Sequence, residues 1–178
     1  MRNQILALPV AALFIVVAAC SNDTSSMDSA YPRSGSASII GGQKVVVTPW
    51  SGSLQGAKKS DLCAVDAVNG KKVVNGSFEV ESGQPVAFEG WVSTSDLHNP
   101  GSISIIFHGT SSFAIESNTG IKREDVAHAY KTDDLMNSGY KIDLAALSIP
   151  AGSYVVSLVH EETGVKFVCY PKLGISVK

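Results

Sequence analysis

The sequence lacks the short motifs that mark the commonest enzyme sites. It contains no Gly-x-Ser-x-Gly turn of the serine hydrolase kind and no glycine-rich phosphate loop. The stretch that begins at His160 reads His-Glu-Glu-Thr-Gly, so the second histidine of a His-Glu-x-x-His zinc site is missing. The other histidines, His98, His108 and His128, are scattered and suggest no set of nucleophile, base and orienting group. We therefore expect no catalytic residues, no metal site and no cofactor.

The sequence also lacks an excess of basic residues. Its 178 residues carry 14 Lys and Arg against 16 Asp and Glu, and the basic residues form no cluster. Proteins that bind nucleic acid concentrate Lys and Arg on one surface, so nucleic acid is excluded as a partner. Asp125, Asp133 and Asp134 are the nearest approach to a calcium motif, but calcium requires six or more oxygen ligands. We interpret these aspartates as a solvated turn.

The longest apolar run lies at the N-terminus, over residues 5–19. One positive charge, Arg2, precedes it, and the run contains no acidic residue, which is the layout of a secretory signal. A membrane span needs roughly 20 apolar residues, and Pro9 would disturb a permanent helix. Residues 1–19 are therefore predicted to be a signal peptide.

The end of this run, Val17-Ala18-Ala19-Cys20, resembles the lipobox of bacterial lipoproteins. The resemblance implies cleavage before Cys20, a diacylglycerol on its thiol and a further acyl chain, such as palmitate, on its freed amine. One acyl chain binds a membrane marginally, whereas two or three anchor firmly. Ser21, in place of an aspartate, implies sorting to the outer membrane, as in enteric lipoproteins. The alternative is an ordinary cleaved signal in which Cys20 carries no lipid.

Two further cysteines, Cys63 and Cys169, remain for a disulfide. Exported proteins fold in an oxidising compartment, so a single remaining pair predicts one bond between them. The alternative is two buried free thiols. A zinc site is excluded because these cysteines lack the close spacing of zinc ligands. Cys169 stands two residues from Phe167, so both side chains are predicted to face the core.

The rest of the chain divides into three parts by composition. Residues 20–38 are rich in serine and poor in apolar residues, so they cannot bury enough surface to offset the entropy of ordering and are predicted to be a flexible tether. Residues 39–60 are predicted to form an N-terminal strand and a loop that covers residues 52–60. Residues 61–178 are predicted to form one β-sandwich domain.

Alternation of apolar and polar residues recurs through residues 61–178. Ile103, Ile105 and Phe107, for example, alternate with serines and His108, which is the pattern of a half-buried strand. Only residues 123–136 suggest a helix, with Asp125 as its cap. Many short strands separated by turn residues predict an all-β fold, an immunoglobulin-like antiparallel β-sandwich with one short helix or helical turn.

Residues 61–178 also resemble a small β-sandwich module found beside bacterial envelope enzymes, including glycan-modifying transferases. The shared features are a Gly-Trp strand, an Arg-x-Asp-Val turn, a Gly-aromatic strand and a Pro-x-Gly-x-aromatic strand start; they fall here at residues 88–92, 121–127, 138–140 and 150–154. The resemblance implies an accessory or binding module without a known reaction. Unlike those modules, this one would stand on a lipid anchor with no enzyme domain attached.

The candidate contact residues are aromatic. Trp91, His108 and Tyr130 could form a surface for a sugar or a protein, although a tryptophan within a sandwich strand is more often part of the core. Gly90, before Trp91, is predicted to allow a close backbone approach or a bulge. Arg123 and Asp125 are predicted to fix an irregular crossover, with Asp125 accepting backbone N–H bonds.

These observations predict a lipid-anchored lipoprotein of the bacterial cell envelope, held at the outer membrane. Its predicted role is that of a non-catalytic binding or accessory module for a protein or glycan partner. One alternative is a small envelope enzyme that acts on glycan or peptide. Another alternative is a structural component of an envelope complex.

Overall fold

The computed structural model describes residues 37–40, 43–74 and 76–178. The predicted signal peptide of residues 1–19, the predicted lipid attachment at Cys20 and the predicted tether as far as residue 36 lie outside the described residues. The elements are β1 (Ala37–Ile40), β2 (Gln43–Pro49), β3 (Lys58–Ser60), β4 (Cys63–Val68), β5 (Lys71–Lys72), β6 (Gly76–Val80), β7 (Val86–Val92), β8 (Ser102–His108), β9 (Phe113–Asn118), α1 (Glu124–Tyr130), a 3-10 turn (Asp133–Leu135), β10 (Gly139–Leu144), β11 (Gly152–Glu162), β12 (Val165–Cys169) and β13 (Leu173–Val177).

The described strands form two sheets. The larger sheet runs in the order β1-β2-β9-β8-β11-β12-β3, and β13 also pairs with β11 and carries β6 on its other side. The smaller sheet runs β10-β7-β4-β5. Most pairs are antiparallel, but β3 lies parallel to β12 and β6 lies parallel to β13. The predicted all-β sandwich with one short helix is confirmed.

The core lies between the two sheets and follows the alternation in the sequence. In β8 the side chains of Ile103, Ile105 and Phe107 are almost fully buried against β7, from which Phe88 points inwards, and the rings of Phe88 and Phe107 meet edge to face at 5.7 Å. Such burial of aliphatic and aromatic side chains supplies most of the stabilisation of a domain of this size. β2 belongs to the same sandwich, because it pairs with β9 and its Val45 and Val47 lie in this core.

A disulfide joins the two sheets, as the sequence predicts. Cys63 begins β4 in the smaller sheet and Cys169 ends β12 in the larger one, with their Cα atoms 6.3 Å apart and a sequence separation of 106. Cys169 and Phe167 are both buried, so the prediction that this half-cystine faces the core is also confirmed.

Two predicted boundaries are wrong. The helix predicted over residues 123–136 is only the α1 segment, because Lys131 adopts a left-handed conformation that ends it, and a separate 3-10 turn follows. The loop predicted over residues 52–60 stops at Ala57, and the next three residues form β3. Pairing with β12 places these residues in a strand that their two lysines do not suggest.

Gly90 lies where β7 approaches its neighbour β4 and a buried tyrosine, Tyr140, packs against both. A Cβ atom at this position would stand 2.1 Å from the carbonyl oxygen of Ala64 and 2.5 Å from the hydroxyl of Tyr140. That hydroxyl donates a hydrogen bond to Ala64 O at 3.1 Å. Burial raises the pKa of Tyr140 well above its usual value. The close approach predicted for Gly90 is therefore present.

The bulge lies opposite Gly90 rather than at it. The register of β4 against β7 shifts between Val65 and Ala67, which leaves Asp66 as the extra residue. The carboxylate of Asp66 accepts a hydrogen bond of 2.6 Å from Nη1 of Arg123. Asp125 receives two more bonds from Arg123, from Nε at 2.8 Å and from Nη2 at 2.7 Å.

Arg123 thus fixes the crossover that leads into α1, as predicted, but Asp125 does not cap the helix. The cap residue is Arg123 itself, and its side chain makes no capping bond. The side-chain bonds from Arg123 hold the pKa of Asp125 at about 2. Asp125 in turn raises the pKa of Arg123 above its usual value. Arg123 and Asp125 therefore form a bidentate ion pair at the start of α1, which is stronger and more directional than a single bond. The bond from Arg123 to Asp66 ties this end of the helix to β4.

Candidate functional site

Aromatic side chains gather on the outer face of the larger sheet, away from the core between the sheets. His108 ends β8, and its ring centroid lies 5.7 Å from that of Trp50 and 6.5 Å from that of Tyr170. Val155 stands beside His108 in the sheet, because the two residues are directly paired between β8 and β11. We call Trp50, His108, Val155 and Tyr170 the aromatic patch.

The local sequence explains why the patch forms here. In β8 the alternation places Ile106 and His108 on the outer face while their neighbours fill the core. The segment after β2 folds across this outer face, and its Trp50 and Leu54 cover Ile106 in a second apolar cluster. The backbone N–H of Trp50 donates to Ser112 O at 2.8 Å, which fixes the start of that segment. Gly52 crosses close to the indole, since a Cβ atom there would stand 2.8 Å from Nε1 of Trp50.

The patch is half open to solvent. Val155 is 54% exposed and Tyr170 is 47% exposed, while Trp50 and His108 are partly covered. Val155 and Tyr170 are two of the four large hydrophobic residues recorded as exposed in the described part of the chain. Large apolar side chains that are exposed together with aromatic rings are typical of binding surfaces rather than of inert ones.

The patch is polar at its edges, and none of its four residues is Asp, Glu, Lys or Arg. His108 Nε2 and Ser157 Oγ share a hydrogen bond of 2.8 Å, and Ser157 is fully buried beneath the ring. Burial lowers the pKa of His108, and no neighbouring charge contributes to the shift. The imidazole is therefore neutral near pH 7, since its ordinary pKa of about 6.5 is already below that pH.

The pairing of Ser157 with His108 does not provide a nucleophile. Ser157 Oγ is buried under the sheet surface, so a substrate cannot reach it from solvent. A nucleophilic serine needs both a base and an open approach to the reacting carbon. The hydrogen bond between Ser157 and His108 instead orients the histidine ring within the patch.

A second serine, histidine and carboxylate lie together at the end of β11. Glu162 accepts from the backbone N–H of Ser95 at 2.8 Å and from its hydroxyl at 2.6 Å, and it binds His160 Nε2 at 2.7 Å. Burial raises the pKa of Glu162, but the bonds from Ser95 and His160 outweigh it, so the net shift is downwards. The carboxylate stands between the other two residues, so His160 is not placed to take a proton from Ser95.

The structure separates the candidate contact residues into two groups. Trp91 and Tyr130 pack together with ring centroids 5.6 Å apart, in a small cluster formed by α1 and the 3-10 turn over the outer face of the smaller sheet. His108 lies in the other sheet with Trp50 and Tyr170. Trp91 is therefore not in the core between the sheets, and it is partly covered by the helix.

Among the described residues, several of the remaining acidic and histidine groups form ion pairs rather than a catalytic or metal-binding arrangement. His128 lines an open depression of about 580 Å³ together with Glu124 and Asp133, but the imidazole of His128 makes no hydrogen bond or ion pair within the described residues. The described residues also contain no group of three or more His, Cys, Asp or Glu side chains placed to hold a metal ion. His98 pairs with Asp134 at 3.0 Å and with Asp96 at 3.6 Å, whereas Asp125 pairs with Arg123.

Two members of the aromatic patch are absent from the residues that the sequence suggests. Trp50 follows directly after β2, and Tyr170 follows the half-cystine Cys169. Their one shared signal is an aromatic residue placed just beyond a strand end. That signal is weak without knowledge of which strands are neighbours.

Comparison with known protein families, with curated proteins and with solved structures gives no match for this chain.

Proposed function

We propose that this protein is an exported, lipid-anchored lipoprotein of the bacterial cell envelope, held at the outer membrane. Its sandwich serves as a non-catalytic binding or accessory module for a protein or glycan partner. The observation that carries the binding role is the half-exposed aromatic patch on the larger sheet, whose histidine ring is held from below by the buried Ser157. Rigid aromatic groups provide contact area at low entropic cost, which favours binding.

Support for an exported location comes from the covalent framework. The bond between Cys63 and Cys169 is typical of proteins that fold in an oxidising compartment. The lipobox-like ending at Cys20 provides the attachment site in the sequence. In the part of the chain that the structure describes, no helix has the length and apolar character of a membrane span.

We expect the Cys20→Ala variant to lose both lipid and membrane attachment. Cells are labelled with an alkyne-bearing fatty acid and then fractionated, and the wild-type chain should be labelled and sediment with membranes. The variant should be unlabelled, because only the Cys20 thiol can begin the acylation. Ser21→Ala is the matched control and should keep both label and attachment. Equal labelling of the two variants would contradict the proposed anchor.

We expect contact with the partner to occur at the aromatic patch. The photoreactive residue benzoylphenylalanine is placed at Tyr170 in the anchored protein, and a control places it at Ile121, which is 48% exposed and lies outside the patch. Irradiated cells should yield a protein or glycan adduct from position 170 and not from position 121. Adding Val155→Lys to the same chain should abolish the adduct, since it introduces a charge into the patch. Adducts at both positions, or at neither, would count against the proposed site.

A further inference from the structure

We propose that the aromatic patch binds an uncharged oligosaccharide, with a sugar ring lying against Tyr170 and its hydroxyls bonded to the polar edges of the patch. This inference rests on the proposed binding function and names its ligand class. The argument uses three properties of the patch, which are its apolar faces, its unused polar atoms and its lack of charge.

The apolar faces are suited to the flat side of a sugar ring. Tyr170 is the most open ring of the patch, and Val155 extends the apolar surface beside His108. The centroid spacings of 5.7 Å and 6.5 Å along Trp50, His108 and Tyr170 give a row of rings rather than one isolated ring. A saccharide presents C–H groups on its ring faces, and these pack on aromatic rings as other apolar groups do.

The polar edges of the patch have unused hydrogen-bonding capacity. Within the described residues, no partner is found for the hydroxyl of Tyr170, for the indole N–H of Trp50 or for Nδ1 of His108. Together these groups offer hydrogen-bond donors and acceptors. The phenol can donate and accept, the indole N–H can only donate, and Nδ1 of the neutral imidazole donates or accepts according to the tautomer. Ligand sites commonly combine an apolar lining with a few such groups. A chain of hydroxyls can satisfy these groups, whereas a purely apolar ligand would leave them unpaired.

The lack of charge selects a neutral ligand. The His108 side chain contacts two aromatic rings and a serine hydroxyl. Burial lowers the pKa of His108, and no charged group contributes to this shift. A neutral His108 therefore offers an anionic ligand no cationic partner to offset its loss of hydration.

The size of the patch also favours a saccharide over a folded protein. A stable protein interface involves about 20–30 residues on each side. The other two exposed hydrophobic residues, Val74 and Ile121, lie outside the larger sheet and do not extend the patch. A short oligosaccharide needs only a few side chains, and the patch provides them within one sheet face.

The experiment titrates the full-length protein, purified from membranes in mild detergent, with defined probes. Chitotetraose and cellotetraose serve as neutral probes and tetragalacturonate as an anionic probe. Tryptophan fluorescence is followed in a Trp91→Phe background, so that Trp50 is the only remaining indole. The variants are Tyr170→Phe, which keeps the ring, and Tyr170→Ala, which removes it, and circular dichroism checks that each is folded.

We expect at least one neutral probe to shift the Trp50 emission and the anionic probe to have no effect. Tyr170→Phe should weaken binding by about threefold and Tyr170→Ala by about tenfold or more, since the second change also removes the stacked ring. Equal binding of the anionic probe, or binding that Tyr170→Ala leaves unchanged, would overturn the inference. If no probe binds at millimolar concentration while position 170 still cross-links to a protein, the inference fails and the proposed function stands. If neither occurs, both fail.

Discussion

Removing the disulfide between Cys63 and Cys169 is expected to lower the free energy of unfolding by about 4–5 kcal/mol. A cross-link that closes a loop of about 100 residues restricts the unfolded chain by roughly this amount in the chain-entropy model. The bond here spans 106 residues and ties the first strand of the smaller sheet to the larger sheet. The measurement is a urea titration of the protein with and without reductant.

The double variant Cys63→Ala/Cys169→Ala provides the control for this prediction. Its free energy of unfolding should match that of the reduced wild type within about 1–2 kcal/mol, because the variant loses the same constraint and a small buried volume. Reductant should not change the stability of the double variant. The reductant also cannot cleave the thioether predicted at Cys20. A reduced wild type that unfolds at the same urea concentration as the oxidised protein would show that the bond contributes nothing.

Replacing Gly90 by alanine is expected to destabilise the sandwich by about 3 kcal/mol or more. Overpacking costs roughly 1–3 kcal/mol where neighbours can shift, and more where they cannot. Here the new methyl group would meet a backbone carbonyl, that of Ala64, at 2.1 Å within a paired strand. The Tyr140 hydroxyl at 2.5 Å is also held, because it is buried and bonded to the same carbonyl. Chemical denaturation of the purified variant measures the change.

Gly76 provides a matched control within the same fold. It also lies in a strand, and a Cβ atom there would have only the carbonyl oxygen of Val74 within reach, at 3.8 Å. Gly76→Ala should therefore change stability by less than about 1 kcal/mol. Adding Tyr140→Phe to Gly90→Ala should restore little, because the clash with Ala64 remains. A Gly90→Ala protein as stable as Gly76→Ala would show that β4 and β7 are farther apart than described.

The strands were the most predictable part of the molecule. Their apolar residues alternate because one face of each sheet is buried, so the pattern in β8 and the orientation of Cys169 beside Phe167 follow from the sequence itself. The disulfide followed from the count of cysteines in a chain predicted to be exported. The ends of α1 were less predictable, because the helix stops at Lys131, a residue whose type carries no stop signal.

The site was less predictable because it depends on which strands are neighbours. Trp50, His108 and Tyr170 come from three distant parts of the chain and meet only through the strand order β2-β9-β8-β11-β12 and the loop after β2. Asp66 could not be paired with Arg123 beforehand either, since its direction depends on a bulge in β4. The local alternation of apolar and polar residues indicates which face of the sheet a side chain occupies. Its neighbours on adjacent strands depend on the strand order and register of the whole sheet.

The parallel pairing of β6 with β13 has a consequence for how the chain reaches its native state. β6 finds its partner strand roughly a hundred residues later, and contacts of such long range form slowly because a large loop must close first. An emerging polypeptide that already contains β6 must keep the apolar residues of that strand unpaired until β13 has emerged. We therefore expect synthesis of the whole domain to be complete before β6 and β13 can pair, and until then the exposed apolar strands favour aggregation.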